Sequence, residues 1–139
     1  RRALQDCADH ARQRFAVEVD LDLPKRLPAH SQEQVLHVYR IVQEAVSNAV
    51  RHGGARRLRM AVHAMDRAIE VVIEDDGCGF PGTNGEPRAG IGLHVMEYRA
   101  RTLGGTIRFA NHRPRGGTVL LYYLVLAPAQ SEPVPALSP

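Results

Sequence analysis

Hydrophobic residues recur along the chain with two different spacings, which predict helices and strands. Apolar residues three and four positions apart predict helices over residues 1–14, from 31 to the Gly53-Gly54 pair, and over 91–103. Period-two alternation or short apolar runs predict strands over 17–23, 58–64, 69–75, 106–110 and 118–126. This order predicts an α+β fold: a two-layer α/β sandwich with a mixed, mainly antiparallel sheet and helices packed on one face.

The long central helix has a predicted capping box at its start, in which Ser31 caps the helix and Gln34 reaches back to it. On a helical wheel of about 100° per residue, Glu44 lies opposite an apolar face. That face consists of Val35, Val38, Tyr39, Val42, Val46 and Ala49. We therefore expect this face to pack into the core and the Glu44 side to be polar.

Glu44 shares that polar side with Asn48 and Arg51, and His52 follows one turn along. Spacing alone favours a solvated helix surface with i,i+4 polar pairs. Beside a nucleotide the same residues would have a chemical role. Asn48 offers a hard oxygen ligand to Mg²⁺, Glu44 a carboxylate that orders or deprotonates a water, and Arg51 a cationic fork for phosphate.

Two glycine-containing segments lie next to predicted secondary structure: one follows a strand and the other precedes a helix. Asp75 ends a predicted strand and is followed by Gly77 and Gly79, so a ligand could approach the backbone while Asp75 accepts a hydrogen bond from an exocyclic amine. Gly90 and Gly92 come directly before a predicted helix, whose free N–H groups attract phosphate. Residues 77–82 also match a dinucleotide-binding Gly-x-Gly-x-x-Gly pattern, but no helix begins in that turn, which argues against it.

Composition restricts the class of protein further. A chain of 139 residues suits one domain, which we place at residues 16–127, after the end of a connecting helix (1–15) and before a disordered proline-rich tail (128–139). Two cysteines and no long apolar run favour a cytoplasmic domain. The net charge of +3, with 5% aromatic residues, is too weak a signal for nucleic-acid binding. The abrupt start inside a helix suggests part of a longer protein.

Four motifs in order resemble one family, the catalytic domains of sensor histidine kinases, within the ATPase superfamily of gyrase, the large heat-shock chaperones and the mismatch-repair ATPases. The resemblance covers about residues 23–126. Residues 39–52 resemble its asparagine box, 75–79 and 90–93 its two glycine boxes, and 116–118 its terminal Gly-Thr element. The Gln-Glu-Ala sequence at 43–45 and residues 96–100 resemble the subgroup that pairs with nitrate-regulator-like response regulators.

The resemblance implies a role for each matching residue. It makes Asn48 the Mg²⁺ ligand and Glu44 a participant in phosphoryl transfer, with Arg51 and His52 near the phosphates. Residues 80–89 would form the ATP lid. The remaining implied nucleotide-binding residues are Asp75 on the adenine amino group, Gly79 beside the base, Thr118 in the polar network around Asp75, and Gly77, Gly90, Gly92 and Leu93 in the glycine boxes.

The implied function is an enzymatic one, transfer of the ATP γ-phosphoryl group to a histidine. The resemblance implies that this histidine lies on a separate dimerising helical hairpin. We interpret His10 as part of the connecting helix, and the other unassigned histidines have no motif around them. The expected partners are ATP, this hairpin of the same kinase and a response regulator. We expect a monomeric fragment of a homodimeric kinase, itself cytoplasmic or anchored to a membrane. The alternatives are an anti-sigma-factor-type serine protein kinase and a noncatalytic nucleotide-binding interaction module.

Overall fold

The computed structural model describes residues 1–80, 91–112 and 114–125. Within these residues, three α-helices alternate with strands that form a single five-stranded sheet. In chain order the elements are α1 (Arg2–Phe15), β1 (Glu18–Asp22), α2 (Gln32–Ser47), a π-helical turn (Asn48–His52), β2 (Arg57–Met65), β3 (Ala68–Asp75), α3 (Ile91–Thr102), β4 (Thr106–Asn111) and β5 (Gly117–Leu124). Each predicted helix and strand is confirmed, with small differences at the ends.

The sheet has the strand order β1-β2-β3-β5-β4. β1 pairs with β2 in parallel, and the three remaining pairs are antiparallel. β3 therefore lies at the centre, and its register sets Asp75 opposite Leu58 on one side and Gly117 on the other. The predicted mixed, mainly antiparallel sheet is confirmed.

The helices cover one face of this sheet. Alternate strand residues are buried beneath them, among them Ile69, Val71 and Ile73 of β3. On the opposite face Arg59 reaches carboxylates on both neighbouring strands, with its guanidinium 3.7 Å from Asp22 and 3.1 Å from Glu74. One apolar and one charged face are the arrangement expected of a two-layer sandwich, which confirms the predicted fold class.

Helix α1 belongs to the same core as the sheet. Leu4, Cys7, Ala8 and Ala11 are buried at the three- and four-residue spacing seen in the sequence. The helix stops where Ala16 adopts a left-handed conformation with φ of 53°. A domain boundary between residues 15 and 16 would therefore cut through continuous packing.

Helix α2 has the predicted capping box, but its buried face differs in part from the face predicted by the helical wheel. The capping box is present, with Gln34 N–H donating to Ser31 Oγ at 3.1 Å and Ser31 N–H donating to Gln34 Oε1 at 3.2 Å. The prediction that Val35 faces the core is wrong, because Val35 lies in the first turn and is 41% exposed. Ile41 and Ala45, outside the predicted apolar face, are buried because the burial of α2 extends toward α3, the helix packed beside it.

The end of α2 departs from the predicted regular helix. From Asn48 to His52 the backbone forms a π-helical turn, in which Gly53 N–H donates to the Asn48 carbonyl five residues earlier at 3.0 Å. In this wider turn the rotation per residue about the helix axis is smaller than the 100° assumed for the wheel, so the later side chains point in other directions than predicted. Positions after Asn48, Arg51 among them, therefore cannot be placed by the wheel.

Two sequence predictions fall on residues that the structure does not describe. The expected lid at 80–89 lies outside the described residues except for Phe80, and the expected proline-rich tail at 128–139 lies wholly outside them. None of the described helices has the length and apolar character needed to cross a membrane.

Candidate functional site

Asp75 occupies the last position of the central strand and is half-buried. Its Oδ1 accepts a hydrogen bond from Gly77 N–H at 2.8 Å. A β-carbon at position 77 would lie 2.8 Å from both that oxygen and the Gly53 carbonyl oxygen. The first glycine of the motif is therefore required by close packing between the strand end and the turn after α2.

Burial raises the pKa of Asp75, and the neighbouring Asp76 raises it further. The N–H groups of Gly77 and Gly117 and the charge of His112 act in the opposite direction without cancelling the rise. Asp76, one residue on, behaves differently. Hydrogen bonds from the N–H groups of Arg57 and Arg56, at 3.0 and 2.8 Å, are the main reason that its pKa is lowered. Asp76 therefore anchors the turn after β3 to the backbone of Arg56 and Arg57, whereas the carboxyl group of Asp75 is partly shielded from solvent.

The second glycine of the motif is held by a side chain from β4. Gly79 has φ of 81°, and Asn111 binds the next residue at two points. Phe80 N–H donates to Asn111 Oδ1 at 2.7 Å, and Asn111 Nδ2 donates to the Phe80 carbonyl at 2.9 Å. The Phe80 ring packs on Phe109 with centroids 5.3 Å apart. Asn111 was missed by the sequence reasoning, since the contact joins positions 31 residues apart.

The second glycine box, at the start of α3, contacts Glu44 of α2 and Asn48 of the π-helical turn. A β-carbon on Gly92 would overlap the Glu44 carboxylate and lie 3.2 Å from Asn48 Nδ2. Glu44 and Asn48 are half-buried, and neither side chain has a hydrogen-bond or ion-pair partner among the described residues. The structure thus brings together a carboxylate, a carboxamide and the N-terminus of α3.

The remaining predicted residues are placed less directly. Arg51 lies over the Phe15 ring, with its guanidinium carbon 5.7 Å from the centroid, and His52 is exposed. Leu93 is 5% exposed, so its side chain belongs to the core. Gly90 lies outside the described residues.

Thr118 stands opposite Glu74 in the strand register, whereas Gly117 stands opposite Asp75. Its hydroxyl is hydrogen-bonded to His112 Nε2, and the charge of His112 acts on Asp75. Among the described residues no hydrogen bond joins Thr118 to Asp75, so the role of Thr118 beside Asp75 stays a prediction. His112 stands in no sequence motif by which it could have been assigned to the site.

A groove of about 460 Å³ opens beside Glu44, between α1, the end of α2 and α3. Arg14, Arg40, Arg51 and Arg99 line it, and Glu44 is its one carboxylate among the residues that the structure describes. Such a surface favours an anionic group next to Glu44. No cluster of three or more His, Cys, Asp or Glu suited to a metal ion occurs in the described part of the chain. A metal here would need ligands from a bound phosphate in addition to Asn48.

Comparison with known proteins identifies the class. Residues 33–128 match the family model described as histidine kinase-, DNA gyrase B- and HSP90-like ATPase. The chain belongs to this family, and within it to the histidine-kinase ATP-binding domains. The ATP-binding domain of PrrB from Mycobacterium tuberculosis has the same fold, with a TM-score of 0.74 at 24% identity, covering 90% of this chain and 93% of that one.

The relatives by sequence are sensor kinases. The nitrate/nitrite sensor protein NarX of Escherichia coli K12 is 36% identical over 105 residues, which is 75% of this chain and 17% of NarX. The nitrate/nitrite sensor protein NarQ of the same organism is 35% identical over 122 residues, 86% of this chain and 21% of NarQ. This chain thus spans about a fifth of these relatives, and they agree with the subgroup predicted from residues 43–45 and 96–100.

Proposed function

We propose that this domain binds Mg²⁺-ATP and transfers its γ-phosphoryl group to a histidine on a partner helical hairpin of the same kinase. The observation that carries the proposal is the meeting of Glu44 and Asn48 at Gly92. There two polar side chains that have no partner among the described residues face the start of α3. The N–H groups at the start of a helix attract phosphate, so this corner suits the charged end of a nucleotide.

Asp75 supplies the base-binding end of the proposed site. Its carboxyl group is half-buried at the end of the central strand, where it accepts a hydrogen bond from Gly77 N–H and has further acceptor sites. An adenine amino group would donate to it. Gly79 and Phe80, fixed by Asn111, would then form the neighbouring wall of the site.

Asn48 is the residue that would hold Mg²⁺, and the donor set fits that ion. Mg²⁺ takes few protein ligands and completes its shell with waters and phosphate oxygens, so one carboxamide oxygen beside a phosphate site suffices. When bound, the ion neutralises charge on the transferring phosphoryl group. The side chain of Asn48 has no competing partner among the described residues, so its oxygen is available.

Glu44 is the residue proposed to act on the acceptor. In the transfer, the bond from the γ-phosphorus to the bridging oxygen breaks, a bond from that phosphorus to an imidazole nitrogen forms, and ADP leaves. Glu44 would accept the proton that the imidazole releases. The arginine-lined groove beside it gives the acceptor an open approach. A response regulator would then receive the phosphoryl group, and the whole kinase would be a dimer.

The experiment measures autophosphorylation of the whole kinase with γ-labelled ATP. Asn48→Ala removes the oxygen ligand and is expected to lower the rate at least about a hundredfold. Asn48→Asp keeps a hard oxygen in place and is expected to retain more activity than Asn48→Ala across a Mg²⁺ titration. Undiminished transfer in a folded Asn48→Ala kinase would contradict the assignment.

A further inference from the structure

A second cleft, of about 510 Å³, lies at the opposite end of the sheet from Asp75. It is enclosed by the start of α1, the chain between β1 and α2, the first turns of α2 and the central strands. Its accessible apolar lining comes from Leu27, Val35 and Tyr39. Beneath them lie residues of the core: Leu4, Val38, Val62, Ile69 and Val71. Ile69 and Asp75 are six residues apart on β3, which separates the two sites by about 20 Å.

The inner end of this cleft is polar and already satisfied. His30 Nδ1 is 2.7 Å from the Pro28 carbonyl oxygen, and His30 Nε2 is 2.7 Å from the Tyr123 hydroxyl. A carbonyl oxygen only accepts, so Nδ1 carries the proton in the neutral ring and the Tyr123 hydroxyl donates to Nε2. This leaves lone pairs on the Tyr123 oxygen and no demand for a charged ligand group in the interior.

The entrance of the cleft is cationic. Arg1, Lys25 and Arg26 are exposed at the rim, and no Asp or Glu occurs among the described residues that line the cleft. Arg1 donates to the Pro24 carbonyl at 2.7 Å, whereas Lys25 and Arg26 have no hydrogen-bond or ion-pair partner in the part of the chain that the structure describes. The apolar lining below Lys25 and Arg26 is complementary to a molecule with an apolar body and an anionic head group.

We propose that this cleft is a second small-molecule site, which binds a monoanionic amphiphile such as a medium-chain carboxylate. The apolar chain displaces water from the accessible surface of Leu27, Val35 and Tyr39, which provides the affinity. The carboxylate stays at the rim beside Lys25 and Arg26, where it remains partly hydrated. The site is separate from the proposed nucleotide site.

The test is calorimetric titration of the 139-residue chain with octanoate and, separately, with octanol, both below their aggregation limits. Octanoate is expected to bind saturably and more tightly than octanol. Replacing both rim cations, in the Lys25→Gln/Arg26→Gln variant, is expected to weaken octanoate binding about fivefold and to leave octanol binding unchanged. Equal binding of the two ligands, or no saturable binding of octanoate, would overturn the proposal.

A pair of adjacent substitutions locates the ligand. Val35 lines the cleft and is 41% exposed, so Val35→Trp fills the entrance without disturbing the core. Leu36 is 50% exposed and does not line the cleft, so Leu36→Trp is its control. Val35→Trp should weaken octanoate binding at least about tenfold and Leu36→Trp should not. Equal effects of the two variants would overturn the site. A sedimentation experiment in which wild type self-associates and Val35→Trp does not would also overturn it, because the cleft would then be occupied by a second copy of the chain.

Discussion

Gly92 lies directly against the carboxylate of Glu44, so that position 92 has no room for a β-carbon. The sequence suggested this glycine for a different reason, the access of phosphate to a helix N-terminus. The structure adds a steric reason that links the second glycine box to the asparagine box. Glu44 is held near the start of α3 only because residue 92 has no side chain.

Gly92→Ala should separate activity from stability. Position 92 is the second residue of α3, where alanine favours the helix by less than the roughly 1 kcal/mol of a helix interior, and the atom it displaces is the end of a flexible glutamate. We therefore expect an unchanged or slightly higher Tm and a loss of autophosphorylation of at least about tenfold. His94→Ala, an exposed position on the same helix, should alter neither. A fully active Gly92→Ala kinase would show that the position of Glu44 is not critical.

The two neighbouring aspartates should respond oppositely to pH. The pKa of Asp75 is raised above its ordinary value of 3.8, so the folded state holds that proton more tightly, and stability is lost as the pH rises through the raised pKa. Relative to wild type, Asp75→Asn should gain stability as the pH increases above about 4. Urea unfolding at several pH values measures this, and a constant difference between the two proteins would contradict it.

Asp76 provides the matched control for that experiment. Its pKa is lowered by hydrogen bonds from the backbone of Arg57 and Arg56, so its stabilising effect is present above pH 3.8 and is lost as the pH falls through the lowered pKa. Asp76→Asn should therefore be less stable than wild type near neutral pH, and the difference should disappear in stronger acid. An Asp76→Asn protein as stable as wild type at pH 7 would remove its assigned anchoring role.

The two-point contact of Asn111 with Phe80 should contribute to both stability and nucleotide binding. Asn111→Ala removes both hydrogen bonds and is expected to lower the free energy of unfolding by about 1–3 kcal/mol. Asn111→Asp can still accept from Phe80 N–H but cannot donate to the carbonyl, so it should fall between Asn111→Ala and wild type. Denaturant unfolding checks the order of the three proteins, and equal stabilities would contradict it.

Adjacent tyrosines on β5 test the polar end of the second cleft. Tyr123 is 2% exposed and its hydroxyl bonds His30, whereas Tyr122 is 40% exposed. Tyr123→Phe leaves His30 Nε2 without its donor and should cost about 1–2 kcal/mol of unfolding free energy. Tyr122→Phe should cost less than about 0.5 kcal/mol. Equal losses would show that the hydrogen bond to His30 does not stabilise the fold.

The fold was accessible from sequence because its signals are local. Alternation in the strands and the Ser31 capping box each act within a few residues, and both proved correct in type. Val35 was misplaced because the wheel treats a first-turn position like a central one. The π-helical turn at Asn48 was also missed, since no residue pattern distinguishes an i+5 bond from an i+4 bond.

The candidate site was predictable in its motifs but not in its supporting contacts. Asp75, Glu44 and Asn48 stand in recognisable sequence contexts, and the structure joins Glu44 to Asn48 at Gly92. Asn111 and His112 act across the sheet from positions without a motif, so only the pairing of β4 with β5 brings them to the site. The roles of Asp75, Glu44 and Asn48 in nucleotide binding stay predictions.

The measurement that tests the central claim most directly is calorimetric titration of this chain with ATP, with and without Mg²⁺, in wild type, Asp75→Asn and Asp76→Asn. We predict saturable binding by wild type, a loss of about tenfold or more in Asp75→Asn, and a change below about twofold in Asp76→Asn. No binding by a demonstrably folded wild-type chain, or equal binding by wild type and Asp75→Asn, would contradict the assignment of Asp75 as the adenine-binding residue.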